Sequence, residues 1–161
     1  MTVSMFPGTI RCDKTLPALA GGLPEFIVFM SPAAAPPATA AGPLTVALRL
    51  VADRIPRLRI QEGRISEQDT KRILITPAVE ALGWDILDID KVRNEYRHNS
   101  ADNPVDYALF LNRSPVLFVE AKPLGHSLND RKWIVQTINY ANAAGVDWCV
   151  LTNGAEWRIY I

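Results

Sequence analysis

Residues 104–122 read PVDYALFLNRSPVLFVEAK, and the reading of this stretch decides the fold. Two apolar runs, 105–111 and 115–122, flank the polar turn Asn112-Arg113-Ser114, the pattern of an antiparallel hairpin. With the turn centred on Arg113, Asp106 falls opposite Glu120. The strand period of two puts Lys122 on the same face as Glu120. Directly opposed side chains sit about 5 Å apart, so two facing carboxylates repel unless a cation lies between them. A bulge in the hairpin would shift the pairing by one residue and break that opposition.

Tyr107, Leu109 and Leu111 alternate with Ala108 and Phe110, so the first strand is apolar on both faces. Such a strand lies centrally in a sheet covered on two sides. The charged trio at its end is open to two readings. One is a site at the sheet edge, where an ammonium beside a carboxylate-held divalent ion suits metal-assisted phosphodiester hydrolysis. The other is a Glu120–Lys122 pair at a solvated strand end, with Asp106 merely starting a strand. The spacing D-x13-E-x-K taken alone permits both.

The 161-residue chain is long enough for one domain with a real core, and its formal net charge is zero. No global basic field therefore argues for nucleic acid. Residues 44–72 hold seven basic against four acidic side chains, a mild excess typical of a solvated helix. Cys12 and Cys149 stand far apart, without disulfide or zinc-ligand spacing, which fits a reducing compartment. No apolar run approaches the roughly 18 residues that span a bilayer. The start lacks a signal-peptide pattern. The expected location is the cytoplasm, away from membranes.

Working outward, residues 1–43 read as a disordered Ala/Pro-rich leader, dispensable for folding, with SPAAAPPATAAGP at 31–43. Met5 and Met30 are alternative starts. The ordered domain is expected over 44–161. Helical spacing predicts one short amphipathic helix over 44–58. A second helix starts at Ser66 in an S-x-x-D cap, is kinked or restarted at Pro77, and stops at Gly83. Glu80 on that helix is either an exposed acid or an extra carboxylate near a metal. A strand follows over 92–97, then a polar loop with His98 and the hairpin.

After Lys122, Ser127 and Asp130 open a helix that runs to Ala144. Ile134, Ile138 and Ala141 form its apolar stripe. Lys132, Gln136 and Tyr140 form a second stripe, facing solvent or the acidic site. His126, like His98, reads as a solvated loop residue. Strands over 146–152 and 156–161 flank the turn signal Asn153-Gly154. The order helix, three strands, helix, two strands implies a three-layer α/β domain.

At this point PVD106 followed by E120-A-K122 resembles the active-site signature of the PD-(D/E)XK nuclease superfamily. SEQDTKRILITPAVEALGWDI, PVDYALFLNRSPVLFVEAK, QTINYA and VLTNGAEWRIY, in that order, resemble the amino-terminal nuclease domain of type I restriction enzyme R subunits. The resemblance covers about residues 44–161. It implies a restriction-endonuclease-like fold, a central mixed sheet flanked by helices with an αβββαβ core plus a terminal strand. It implies a metal-dependent endodeoxyribonuclease acting on double-stranded DNA, with Mg²⁺ or Mn²⁺ as cofactor. Methyltransferase and specificity subunits of a restriction complex are the implied partners.

Carried over by position, Asp106 and Glu120 are the implied metal ligands and Lys122 orients or activates the attacking water. Gln136 and Tyr140 match a Q-x-x-x-Y pair that steadies Lys122 or touches the DNA backbone. Mg²⁺ takes oxygen ligands and keeps several waters, so the Ala121 carbonyl could complete the set, with Glu80 as a further acid. A full R subunit also carries ATP-driven motor domains, and this sequence has no G-x-x-x-x-G-K-[ST] loop. The expectation is a stand-alone nuclease-like module or a fragment of a longer subunit. The rival reading is a non-catalytic DNA-docking or assembly module that keeps the nuclease fold.

Overall fold

The computed structural model describes residues 25–29 (as backbone), 42–61, 63–99 and 103–161. Strands β1 (Glu25–Phe29), β2 (Val92–Tyr96), β3 (Val105–Leu111), β4 (Ser114–Ala121), β5 (Trp148–Thr152) and β6 (Glu156–Tyr160) form one sheet. Their spatial order is β1-β6-β5-β4-β3-β2. Neighbours are antiparallel except β4 and β5. A parallel pair needs a crossover, and the helix α5 (Arg131–Ala144) supplies it. The result is a mixed sheet with flanking helices, consistent with the α/β restriction-endonuclease-like fold that the resemblance implies.

The hairpin reaches its expected register by an unexpected route. Asn112 and Arg113 both take positive φ, 51° and 66°, so the loop has two residues and Ser114 already belongs to β4. Positive φ at both central positions marks a primed turn, whose twist suits a hairpin. A two-residue loop alone would shift the pairing by one. A bulge beside Leu109 and Phe110 shifts it back, where pairing passes from Leu109↔Leu117 to Phe110↔Pro115. Tyr107 then pairs with Val119, and one residue further Asp106 stands opposite Glu120. Pro115 has no amide to offer a ladder, and a bulge is where a strand tolerates that.

The helix expected over 44–58 is two, α1 (Pro43–Ala52) and α2 (Ile55–Arg59), because Pro56 sits in the first turn of a new helix. Ser66 caps α3 (Glu67–Thr70) in the expected reciprocal box with Asp69, whose amide donates to Ser66 Oγ at 3.0 Å. Thr76 is the first residue of the continuing helix and makes no side-chain cap. The helix widens into a π turn over Lys71–Ile75 and continues as α4 (Thr76–Ala81). Pro77 cannot donate to the Ile73 carbonyl. Arg54 Nη1 donates to it instead, at 2.9 Å.

The core has two sides and an outer layer. On one side α5 packs Ile134 and Ala141 against Phe110, Phe118 and Leu151. On the other, Ile75 and Val79 pack against Tyr107, Leu109, Val119 and Val150. Val51 and Ile55 of the first two helices meet Leu74, Leu124 and Ala155. No helix among the described residues is long and apolar enough to cross a membrane.

One expectation needs correction. The leader contains a strand, β1, which pairs antiparallel with β6 from Glu25↔Tyr160 to Phe29↔Glu156. Residues 26–30 are an apolar run inside Ala/Pro-rich sequence, long enough to add a strand but too short to announce one. The rest of the expected leader up to residue 41, Cys12 included, lies outside the described residues. Pro43 already belongs to α1, one residue before the expected boundary.

Two outcomes test this packing. Gly154 has φ of +82°, and a Cβ there would lie 2.8 Å from Leu74 Cβ. Gly154→Ala should therefore lower the unfolding free energy by about 1–3 kcal/mol in urea denaturation. An unchanged midpoint would contradict the close approach. A chain starting at Leu44 loses β1 and bares the β6 edge, so its melting temperature should fall below that of the full chain. Equal melting temperatures would make β1 dispensable.

Candidate active site

Asp106 of β3 and Glu120 of β4 are each 7% exposed. Buried carboxylates need partners. Asp106 Oδ2 accepts from the Ala121 amide at 2.7 Å, and Oδ1 accepts from Lys71 Nζ at 2.6 Å. Glu120 Oε1 accepts from Lys122 Nζ at 2.7 Å. Lys122 Nζ also lies 5.5 Å from the centre of the Trp133 ring, a cation–π contact. Its amide donates to the Thr152 carbonyl at 2.7 Å, fixing the residue just beyond the strand end.

Lys71 projects from the π turn and is 7% exposed. Its second partner is Glu95 Oε1 at 2.8 Å. Burial, the strongest single influence on this ammonium, works against its charge. The hydrogen bonds from Asp106 and Glu95, with their charges, outweigh burial and hold Lys71 above the usual lysine range. Glu95 sits in β2 with φ of +49°, a conformation rare for a residue with a side chain.

Glu67, the first residue of α3, completes the group. Burial raises its proton affinity, the charge of Asp106 raises it further, and Lys122 and Lys71 oppose them. Glu120 is raised likewise, by burial first, against the Lys122 hydrogen bond and charge. Asp106 and Glu67 add to that rise. Four carboxylates (Glu67, Glu95, Asp106, Glu120) thus share one region with two ammonium groups (Lys71, Lys122). Two negative charges within this set are uncompensated.

Sequence reasoning placed Asp106, Glu120 and Lys122 together, and the fold does so. Ala121 enters through its amide, which Asp106 uses. Gln136 Nε2 donates to Tyr140 Oη at 3.0 Å, so the pair is joined across one helical turn. Lys122 meets Glu120 and Trp133. Glu80 is exposed and is not among the charges that act on Glu67 or Glu120. His98 and His126 are exposed.

Glu67, Lys71 and Glu95 were missed. The first two stand four apart in the capped helix, and that spacing puts side chains on one face. This was the available signal. Nothing local marks Glu95.

The donors are hard oxygens with excess negative charge, which suits a divalent cation such as Mg²⁺. Among the described residues no three of His, Cys, Asp and Glu are gathered to hold a metal in this arrangement. Lys71 bridges Asp106 and Glu95, and Lys122 pairs with Glu120. Glu67, Asp106 and Glu120 are the donor types such an ion takes, and binding it there would require Lys71 or Lys122 to release a carboxylate oxygen.

Removing Glu67's charge should relieve repulsion. Its raised folded-state proton affinity means the cost is absent below the ordinary carboxylate range and grows as pH rises through the folded value. Glu67→Gln should accordingly be as stable as wild type or more so at pH 7 without divalent ions, with the difference fading near pH 4. Thermal melts at the two pH values check this. Destabilisation at pH 7 would mean that the carboxylate is structurally paired.

The family model "Type I restriction enzyme R protein N terminus" matches residues 96–161. The matched segment carries Asp106, Glu120, Lys122, Gln136 and Tyr140, and starts after Glu67, Lys71 and Glu95. No curated protein and no solved structure matches the chain. Over residues 96–161, from the end of β2 through β6, this chain is similar to the PD-(D/E)XK nuclease-like domain at the amino terminus of type I restriction enzyme R proteins.

Proposed function

We propose that residues 44–161 act as an Mg²⁺-dependent endodeoxyribonuclease, the nuclease domain of a type I restriction enzyme R subunit. The observation that carries this reading is the opposition of Asp106 and Glu120 beside Lys122, inside the segment that matches the family. The substrate is double-stranded DNA. The partners are the methyltransferase and specificity subunits of a restriction complex.

Asp106, Glu120 and Glu67 would hold the metal, with Mn²⁺ able to replace Mg²⁺. When bound, the metal supplies polarisation of the scissile phosphate and offsets charge on the leaving oxygen. The chain's own groups do the rest. Lys122, packed on Trp133, places its amino group beside the scissile phosphate and orients the attacking water. Ala121 fixes the Asp106 carboxylate through its amide, so the oxygens need not reorganise during reaction. Tyr140 accepts from Gln136 and so keeps its own hydroxyl proton for a phosphate oxygen of the DNA backbone.

Supercoiled plasmid incubated with the protein and Mg²⁺ tests the proposal. Wild type should nick or linearise it, and chelation should stop the reaction. Lys122→Ala should slow it by about 10²–10³-fold, the scale for losing one charge-stabilising group. Cleavage that survives chelation, or is equal in the variant, would contradict this site. A folded wild type that binds DNA without cutting it would instead be a docking module.

A further inference from the structure

We infer that Lys71 is a positioning residue that occupies the metal-binding oxygen of Asp106 and is handed to Glu95 when a divalent cation binds. The inference rests on the metal site proposed above. Its ground is the geometry of three side chains from three elements. Lys71 Nζ lies 2.6 Å from Asp106 Oδ1 and 2.8 Å from Glu95 Oε1, so one ammonium bridges a buried carboxylate and a half-exposed one. Only Asp106 belongs to the opposed pair of the hairpin.

Two features of the backbone converge on this bridge. The π turn over Lys71–Ile75 starts at the lysine, and π turns are frequent at functional positions. Glu95 takes positive φ in the gap of the β2–β3 ladder, between the pairs Asn94↔Tyr107 and Tyr96↔Val105. A strained residue persists only where its surroundings hold it, and the Lys71 ion pair anchors this one by its side chain.

The consequence is an exchange of cations. A divalent ion at Asp106 and the Lys71 ammonium repel each other at contact distance, so both cannot hold Oδ1 tightly. An ammonium stranded in a buried site would be costly, but Lys71 already has Glu95 as a second anchor and Glu67 within electrostatic reach. Lys71 thus holds the Asp106 carboxylate in place before metal arrives. Glu95 lowers the cost of letting go.

Calorimetric titration of the full chain with Mn²⁺ tests the exchange without cleavage. Lys71→Gln should bind Mn²⁺ about ten-fold tighter than wild type or more, since its competitor is gone. Glu95→Gln should bind more weakly, because Lys71 has lost its second anchor. In Lys71→Gln/Glu95→Gln the effect of Glu95→Gln should vanish. If Glu95→Gln weakens binding equally in both backgrounds, loss of the direct attraction between Glu95 and the cation explains the data and the exchange is overturned.

Asp106→Asn separates this failure from that of the site. If Asp106→Asn abolishes binding while Lys71→Gln leaves it unchanged or weaker, the metal site stands and the exchange falls. If Asp106→Asn binds as wild type does, both fall. Should Lys71→Gln not fold, the ammonium nitrogen resonance of Lys71 in wild type carries the test. It should shift on Mg²⁺ saturation, and a resonance unmoved at saturation would overturn the exchange.

Discussion

The structure turns on how Asp106 is held. Its carboxylate is buried, and two stretches of chain far apart in sequence supply the donors that permit this: the Ala121 amide from the facing strand and Lys71 from the widened helix. The first donor requires the hairpin register that sets Asp106 against Glu120. The second requires the helix to bring Lys71 to the strand end. Thr70 reinforces the arrangement from the same turn. Its hydroxyl accepts from the Leu124 amide at 2.9 Å and donates to the Ser66 carbonyl at 3.0 Å. The loop after Lys122 is thereby fastened to the start of the helix that carries Glu67.

Much of this was legible in the sequence, for a physical reason. Strand period, turn chemistry and capping are local, so the hairpin, the Ser66–Asp69 box, the Gly145 stop with φ of +66° and the Asn153-Gly154 turn could be read from a few residues each. The Asp106–Glu120 opposition came out correctly although its turn was misread. The shorter loop and the bulge are two one-residue shifts that cancel, and only their sum bears on which residues face each other. The π turn was hidden because one of its carbonyls, that of Ile73, is bonded by Arg54, a residue from a different element. Strand β1 depends on the β6 edge, a neighbour distant in sequence.

The site was legible only where it lies on the hairpin. Glu67 and Lys71 reach it through tertiary packing of a helix that precedes the sheet, and Glu95 through an irregular strand. Glu80 drew attention by sitting among apolar neighbours, yet it is exposed. The difference is one of side: Lys71 lies on the helix face that meets the strands, and Glu80 lies on the exposed face. The family match covers the hairpin, α5 and the last two strands, the segment that carries the local motif. The half contributed by the helix rests on geometry and charge alone.

The central claim is that the charge excess shared by Glu67, Asp106 and Glu120 is a divalent-cation site. Paramagnetic broadening by substoichiometric Mn²⁺ in the amide spectrum of the isotope-labelled chain tests it most directly. The account predicts that the amides of Glu67, Asp106, Ala121 and Lys122 broaden first, while those near Glu80 and the exposed loop acids Asp85 and Asp90 stay sharp. Broadening centred on the loop acids, or spread evenly over the surface, would contradict it.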